Sequence, residues 1–311
     1  MNRTAISPGA GRSSRHAVDS GRRALLRAAA LAPLLSLPAW AHDAGVPRAR
    51  YRLADLERSF DGRLGLCAID TADGARLTYR AHQPFPVCST FKVLLAAAVL
   101  ERDIHAPALL ARRIHYGAAD MVAYAPITQH HLADGMTVGE LVDALLRYSD
   151  NVAANLLMRL IGGPAAVTAY AHGIGNQSFR LDSWEPNLNA APDGPRDTAT
   201  PEAMAHCLQQ LVLGEELPSP QRMQLRAGLT GSVTGASLIR AGVPPGWLVG
   251  DKSGASAAFG TRNDIAVLWP SEGAPVVLAV YTTRHARDAT MRDDVVAAAS
   301  RIATEWIRER R

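Results

Sequence analysis

Lysine is almost missing from this chain of 311 residues: of its 33 basic side chains only Lys92 and Lys252 are lysine, and the other 31 are arginine. Aromatic residues are scarce, at 5%. Cysteine occurs three times (Cys67, Cys88 and Cys207), an odd number that excludes a closed set of intramolecular disulfides, and no C-x-x-C spacing points to zinc or redox chemistry. The ten histidines form no H-x-H or H-E-x-x-H group, and the adjacent His130-His131 would point differently, so a metal hydrolase is not expected and no metal is assigned. Beyond residue 41 no segment is apolar enough to span a bilayer. What remains is balanced, 48% hydrophobic and 20% charged, which excludes disorder, collagen-like and coiled-coil architectures and suffices for one large domain or two packed lobes.

The basic excess is local. Six arginines against the single acid Asp19 give residues 1–41 a charge of +5; the whole chain carries +4, so residues 42–311 carry −1. Nucleic acid is therefore not an expected partner. Arg22-Arg23 precede an apolar stretch that ends in the small-x-small signal Ala39-Trp40-Ala41. Arg22-Arg23-Ala24-Leu25-Leu26 resembles a twin-arginine export signal, although ordinary secretion signals also carry arginines. Residues 1–41 read as a cleaved signal peptide, which makes the mature chain begin at His42, exported to the periplasm and free of the membrane. An uncleaved anchor fits less well, because two prolines interrupt Ala28–Ala41 and the stretch is shorter than the ~20 residues a span needs.

Along the mature chain, a helical stretch around Leu53–Phe60 precedes two short apolar runs, Leu64–Asp70 and Arg76–Arg80, around an Asp-Gly turn, the pattern of a β-hairpin. An Ala/Leu/Val-rich segment from Ser89 to about Glu101 reads as a buried helix. Two helical patterns within 137–161 break at Tyr148-Ser149-Asp150-Asn151, and the segment 175–200 has no clear period. Loops that long in compact proteins are usually functional. Helices resume at Pro201–Leu213 and Pro220–Gly228, strands at Trp247–Lys252, Asn263–Trp269 and Pro275–Thr282, and a last helix covers about Arg287–Arg308. Strands at both ends with helices between imply a discontinuous α/β lobe, 42–84 and 229–311, around an all-helical lobe, 85–228, that includes the loop at 175–200.

In so arginine-rich a chain the two lysines mark places where arginine cannot serve, since a desolvated amine can lose its proton and a guanidinium does not. Lys92 stands in Ser89-Thr90-Phe91-Lys92, where helical i,i+3 spacing sets the hydroxyl and the amine on one face near a helix N-terminus. A serine beside such a lysine is an activated nucleophile. Lys252 stands in Lys252-Ser253-Gly254, near the end of a strand, where the first two side chains can bind a carboxylate and Gly254 lets a ligand backbone approach. Ser149-Asp150-Asn151 offers a hydroxyl and an amide at a helix break. Singly, each reads as a cap or a strand-end turn; in this order, together, they do not.

S-x-x-K, S-D-N and K-S-G in sequence resemble the class A serine β-lactamases. Trp184-Glu185-Pro186-Asn187-Leu188-Asn189, Tyr124 before Ala125-Pro126, Arg196-Asp197-Thr198 and Gly260-Thr261-Arg262 extend the resemblance over nearly the whole mature chain. It implies an α/β two-lobe serine β-lactamase/D,D-peptidase-like fold, an antiparallel five-stranded sheet flanked by helices plus an all-helical lobe, a monomer without cofactor, and β-lactams as substrates. It implies that Ser89 attacks the lactam carbonyl, with Lys92, or Glu185 through water, as the acylation base. Ser89 and Ala255 backbone N–H groups would form the oxyanion hole, and Glu185 with Asn189 would activate the deacylating water. Ser149 would pass a proton to the lactam nitrogen, tuned by Lys252. Asn151 would bind the acylamide, Ser253 and Arg262 the carboxylate, and Tyr124 would wall the cleft.

Two departures stand out. Ser183 occupies the place of the arginine that usually braces the aspartate at Asp197, which implies a looser loop open to bulky oxyimino-cephalosporins. Cys88 precedes the nucleophile as in carbapenem-hydrolysing members, but the matching position holds Ser256, so their disulfide cannot form and carbapenem turnover gains no support from it. A penicillin-binding D,D-peptidase, the nearest alternative, lacks the pair matched by Glu185 and Asn189, and a β-lactam sensor would carry a membrane module.

Overall fold

The computed structural model describes residues 45–188 and 194–311, so the leader and Asn189 lie outside the described residues. Helix α1 (Gly45–Ser59) buries Ala49, Leu53 and Glu57 and leads into strands β1 (Gly62–Asp70) and β2 (Arg76–Tyr79). They form the expected hairpin: Gly74 takes φ +77°, and the Asp70 carbonyl and carboxylate accept from Gly74 N and Ala72 N. Strand β3 (Phe85–Pro86) precedes α2 (Lys92–His105), in which every residue from Lys92 to Leu100 is buried. The short strands β4 (Arg113–Ile114) and β5 (Met136–Thr137) pair with each other.

Helix α3 (Val138–Arg147) starts with a Thr137–Glu140 capping box, and α4 (Asn151–Ile161) is capped by Asp150, whose carboxylate accepts from Ala153 N at 2.9 Å. Helix α5 (Pro164–Gly173) is not legible in the sequence, being a short run of small and apolar residues without a polar face to reveal the helical period. Strand β6 (Thr198–Ala199) pairs with β3, and α6 (Pro201–Val212), α7 (Ser219–Thr230) and α8 (Ile239–Gly242) follow. The chain closes with β7 (Leu248–Ser256), β8 (Thr261–Trp269), β9 (Val276–Arg284) and α9 (Asp293–Arg310). The expected strand ending at Lys252 continues four residues further, which moves Lys252 to mid-strand. The last helix starts six residues later than expected, past an exposed turn of Arg, Asp and Thr.

The five main strands form one antiparallel sheet, ordered β2-β1-β9-β8-β7. Alternate residues of β8 and β9 serve two cores: Ile265, Val267, Val277 and Ala279 face α2, α3 and α6, while Ala266, Leu268, Leu278 and Val280 face Leu53 of α1 and Trp306 of α9. Burial on both faces explains why these strands read as unbroken apolar runs. The hydrophobic effect thus clamps β7 between the helices and β8, and β7 carries Lys252.

Candidate active site

A cleft of about 1000 Å³ lies between β7 and the helical side, lined by Ser89, Tyr124, Ser149, Asn151, Glu185, Ser253, Ala255 and Arg262 among others. Lys92 and Lys252 lie directly beneath its floor, both fully buried. The sequence reading put Ser89 on the first turn of the long helix. The structure puts it in a separate 3₁₀ turn, Cys88–Phe91, that runs into α2. That turn is fixed by Thr90, whose hydroxyl donates to Val87 O (2.6 Å) and bonds Tyr281 Oη (2.9 Å), and by Asn263 Nδ2 donating to Pro86 O at 2.7 Å. Gly254 lets the strand approach this turn closely: a Cβ there would fall 3.0 Å from Cys88 Cβ and 3.2 Å from Ser89 N. Ala255 follows on the same strand, at the cleft wall.

Lys92 Nζ spends its donors on Ser149 O (2.8 Å), Asn151 Oδ1 (2.6 Å) and Glu185 Oε1 (3.1 Å). The same Glu185 oxygen accepts from Ser89 Oγ at 3.5 Å. One carboxylate oxygen therefore touches both the hydroxyl and the amine. Burial lowers the proton affinity of Lys92, and the Glu185 charge opposes the shift. Lys252 Nζ donates to Ser149 Oγ and Ser253 O, each at 2.9 Å, and its pKa falls to about 7 through burial and the nearby Lys92 charge. Ser149 sits at φ +59°, a conformation that a non-glycine residue adopts only when its surroundings enforce it; here it turns the hydroxyl between the two lysines.

Asp150, for which sequence gave only a cap, is a buried hub: it also accepts from Ile127 N, Thr128 N and Thr128 Oγ1, at 2.9–3.0 Å. This ties the Tyr124 segment to α4, and Tyr124, 58% exposed, stands at the rim. Asn151 Nδ2 donates to Ala123 O at 2.9 Å. Asn155, not singled out from sequence, brackets the catalytic-loop glutamate: its Nδ2 donates to Glu185 O (2.9 Å) and its Oδ1 accepts from Glu185 N (3.1 Å). The signal was an asparagine four residues after Asn151, on one face of an apolar helix. Thr234, also missed because no motif surrounds it, accepts from Ser253 Oγ at 2.7 Å and lines the cleft.

One expectation needs correction. Asp197 does have a loop partner: it accepts from Asp182 N (2.8 Å), Ser183 N (2.9 Å) and Ser183 Oγ (2.7 Å). The serine that replaces an arginine braces the loop with a short hydroxyl contact, and the structure gives no support to a loosened loop. Arg262 lines the cleft but is engaged, Nε donating to Asp293 Oδ1 at 2.7 Å and Nη2 to Oδ2 at 3.4 Å. Cys67, Cys88 and Cys207 are buried and unbridged.

Comparison with known proteins agrees with this geometry. The model of the β-lactamase enzyme family matches residues 48–307. β-Lactamase OXY-2 of Klebsiella oxytoca is 47% identical over 291 residues, 93% of this chain and 100% of that one. The carbapenem-hydrolyzing β-lactamase KPC, also of Klebsiella oxytoca, is 49% identical over 82% of this chain and 87% of its own. A solved β-lactamase from Desulfarculus baarsii superposes with a TM-score of 0.83 at 53% identity, covering 84% of this chain and 98% of that one. A serine on a 3₁₀ turn, two buried lysines on a second serine's hydroxyl and a bracketed glutamate thus occur in a chain that belongs to the β-lactamase enzyme family, as a class A serine β-lactamase.

Proposed function

We propose that this enzyme hydrolyses penicillins and cephalosporins through an acyl-enzyme on Ser89, that a water activated by Glu185 deacylates it, and that it acts as a monomer in the periplasm after loss of residues 1–41. The observation that carries the reading is the Glu185 carboxylate oxygen shared by Ser89 Oγ and Lys92 Nζ. In acylation the Ser89 proton leaves to Lys92, or to Glu185 through a water, as Oγ bonds the lactam carbon. Backbone N–H groups of Ser89 and Ala255 receive the oxyanion. Ser149, between Lys92 and Lys252, delivers its proton to the departing lactam nitrogen and is reprotonated by way of Lys92 with the proton that Ser89 gave up, which leaves Glu185 a carboxylate again. Glu185 then takes a proton from water as the water oxygen bonds the ester carbon, and passes it to Ser89 Oγ, which leaves as the free hydroxyl. Such hydrolysis confers resistance to the antibiotic. The leader's arginine pair and Ala39-Trp40-Ala41 support export.

Mature protein mixed with a chromogenic cephalosporin and trapped for intact mass should give sustained colour and no persisting adduct. A single stoichiometric burst with a stable adduct on Ser89 would instead mean a penicillin-binding peptidase or sensor.

Arg262 adds a specific expectation. A substrate carboxylate must share the guanidinium with Asp293, which is held in place by Ser237 Oγ. Asp293→Asn should lower KM for carboxylate-bearing penicillins by about fivefold, the ~1 kcal/mol scale of a part-exposed charge contact, with kcat unchanged. The methyl ester of the same penicillin is the control. An equal effect on acid and ester, or none on either, would show that Asp293 does not compete for Arg262.

A further inference from the structure

Two acids outside the reaction path lie side by side in the sheet. In the β7–β8 register Ser253 faces Asp264 and Asp251 faces Ala266, so Asp251 and Asp264 are diagonal neighbours on one face, with Lys252 between them in sequence and pointing to the other. Both are fully buried. Adjacent residues of one short element serve them: Arg240 Nε donates to Asp251 Oδ1, and Ile239 N donates to Asp264 Oδ2 at 3.1 Å. Ser232 Oγ donates to Asp251 Oδ2 at 3.1 Å. The loop above closes tightly, since a Cβ on Gly235 would fall 1.9 Å from Asp251 Oδ2.

Asp264 Oδ1 is buried without any hydrogen-bond partner. A carboxylate with a bare oxygen away from water is costly, whereas a carboxylic acid turns that oxygen into a donor. The acceptor that the register sets beside it is the Asp251 carboxylate, which has lone-pair capacity beyond Arg240 and Ser232. The charged groups around the pair are Arg240 from α8, Lys252 from β7 and Arg262 from β8, the last already paired with Asp293 of α9; the 232–238 loop brings none. Arg240 is thus matched by one negative charge, not two.

We propose that Asp264 is a neutral carboxylic acid in the folded enzyme, its hydrogen on Oδ1 and donated to Asp251, so that the pair holds one negative charge and acts as a positioning element for Lys252. Burial and the Asp251 charge both raise the proton affinity of Asp264, in keeping with this. The consequence reaches the cleft floor. A second full charge under Lys252 would make it hold its proton more tightly than one shared charge does. The kinetic part of the test rests on the reading of Lys252 as partner of the proton-relaying Ser149; the infrared part does not.

At neutral pH the wild-type enzyme should show the carbonyl stretch of a protonated carboxylic acid, shifted by ¹³C-aspartate labelling and lost in Asp264→Asn. The alkaline limb of kcat/KM should stay in place in that variant, because a neutral group replaces a neutral group. Its thermal stability should rise relative to wild type as pH increases above the ordinary aspartate pKa of about 3.9, and converge below it, since a raised folded-state pKa penalises folding only where the unfolded chain has lost the proton. No aspartate-sensitive carbonyl band in the wild type, a band that survives the substitution, or an alkaline limb displaced to lower pH would each overturn the proposal. The wild-type spectrum decides even if the variant fails to fold.

Discussion

Glu185→Ala should colour a chromogenic cephalosporin once and then stall, with the adduct persisting on Ser89 and steady-state kcat reduced by about 10²–10⁴-fold, the usual effect of losing a positioned general base. The side chain can be removed without dismantling the loop, because Asn155 brackets the Glu185 backbone rather than its carboxylate. Lys92 keeps two of its acceptors, Ser149 O and Asn151 Oδ1, so the first step keeps an amine beside the nucleophile. What disappears is the carboxylate that, on the proposed mechanism, takes a proton from the attacking water. Stopped-flow absorbance with intact mass at short and long times separates the steps. Wild-type turnover in the variant, or no acylation at all, would remove Glu185 from the role of deacylating base.

Lys92→Arg retains the charge yet should slow acylation itself by about 10²–10⁴-fold. The guanidinium remains protonated at every accessible pH, and its planar fork is larger than the ammonium that bonds three acceptors in a fully buried space. The burst rate under single-turnover conditions is the measurement, with circular dichroism to establish that the variant is folded. A folded variant acylating at the wild-type rate would mean that Lys92 serves only as a fixed positive charge. The near-exclusion of lysine elsewhere in the chain would then have no explanation in the chemistry.

That compositional oddity made much of the cleft readable before any coordinates. Ser89, Lys92 and Lys252 lie in short motifs whose spacing is local, and the β1–β2 hairpin is written in alternating apolar runs around one Asp-Gly turn. Other features depend on contacts that no local pattern records. Lys252 reaches Ser149 across 103 residues of sequence. Asn155 looks like any polar residue within an apolar helix until the loop folds over it. Ser183 reads as the loss of an ion pair, because only the folded backbone reveals that the hydroxyl and two N–H groups converge on Asp197. Helix α5 is hidden because its small apolar residues give no periodic contrast, and the placement of Asp264 beside Asp251 exists only in the β7–β8 register.

Strand β7 is the outermost strand of its sheet, and an exposed sheet edge is a standing invitation to pair with another chain. Here residues 249–254 are buried, and the strand comes to the surface only at its two ends, at Leu248 and at Ala255 and Ser256. Gly250 is packed against Leu229 and Thr230, and Gly254 against the Cys88–Ser89 turn. The exposed edge is therefore split into two short ends, each too short to template a neighbouring strand and aggregate, and the end at Ala255 lies on the cleft, where it is long enough to hold the amide of a small molecule. The opening that admits a ligand also protects the fold from its own kind.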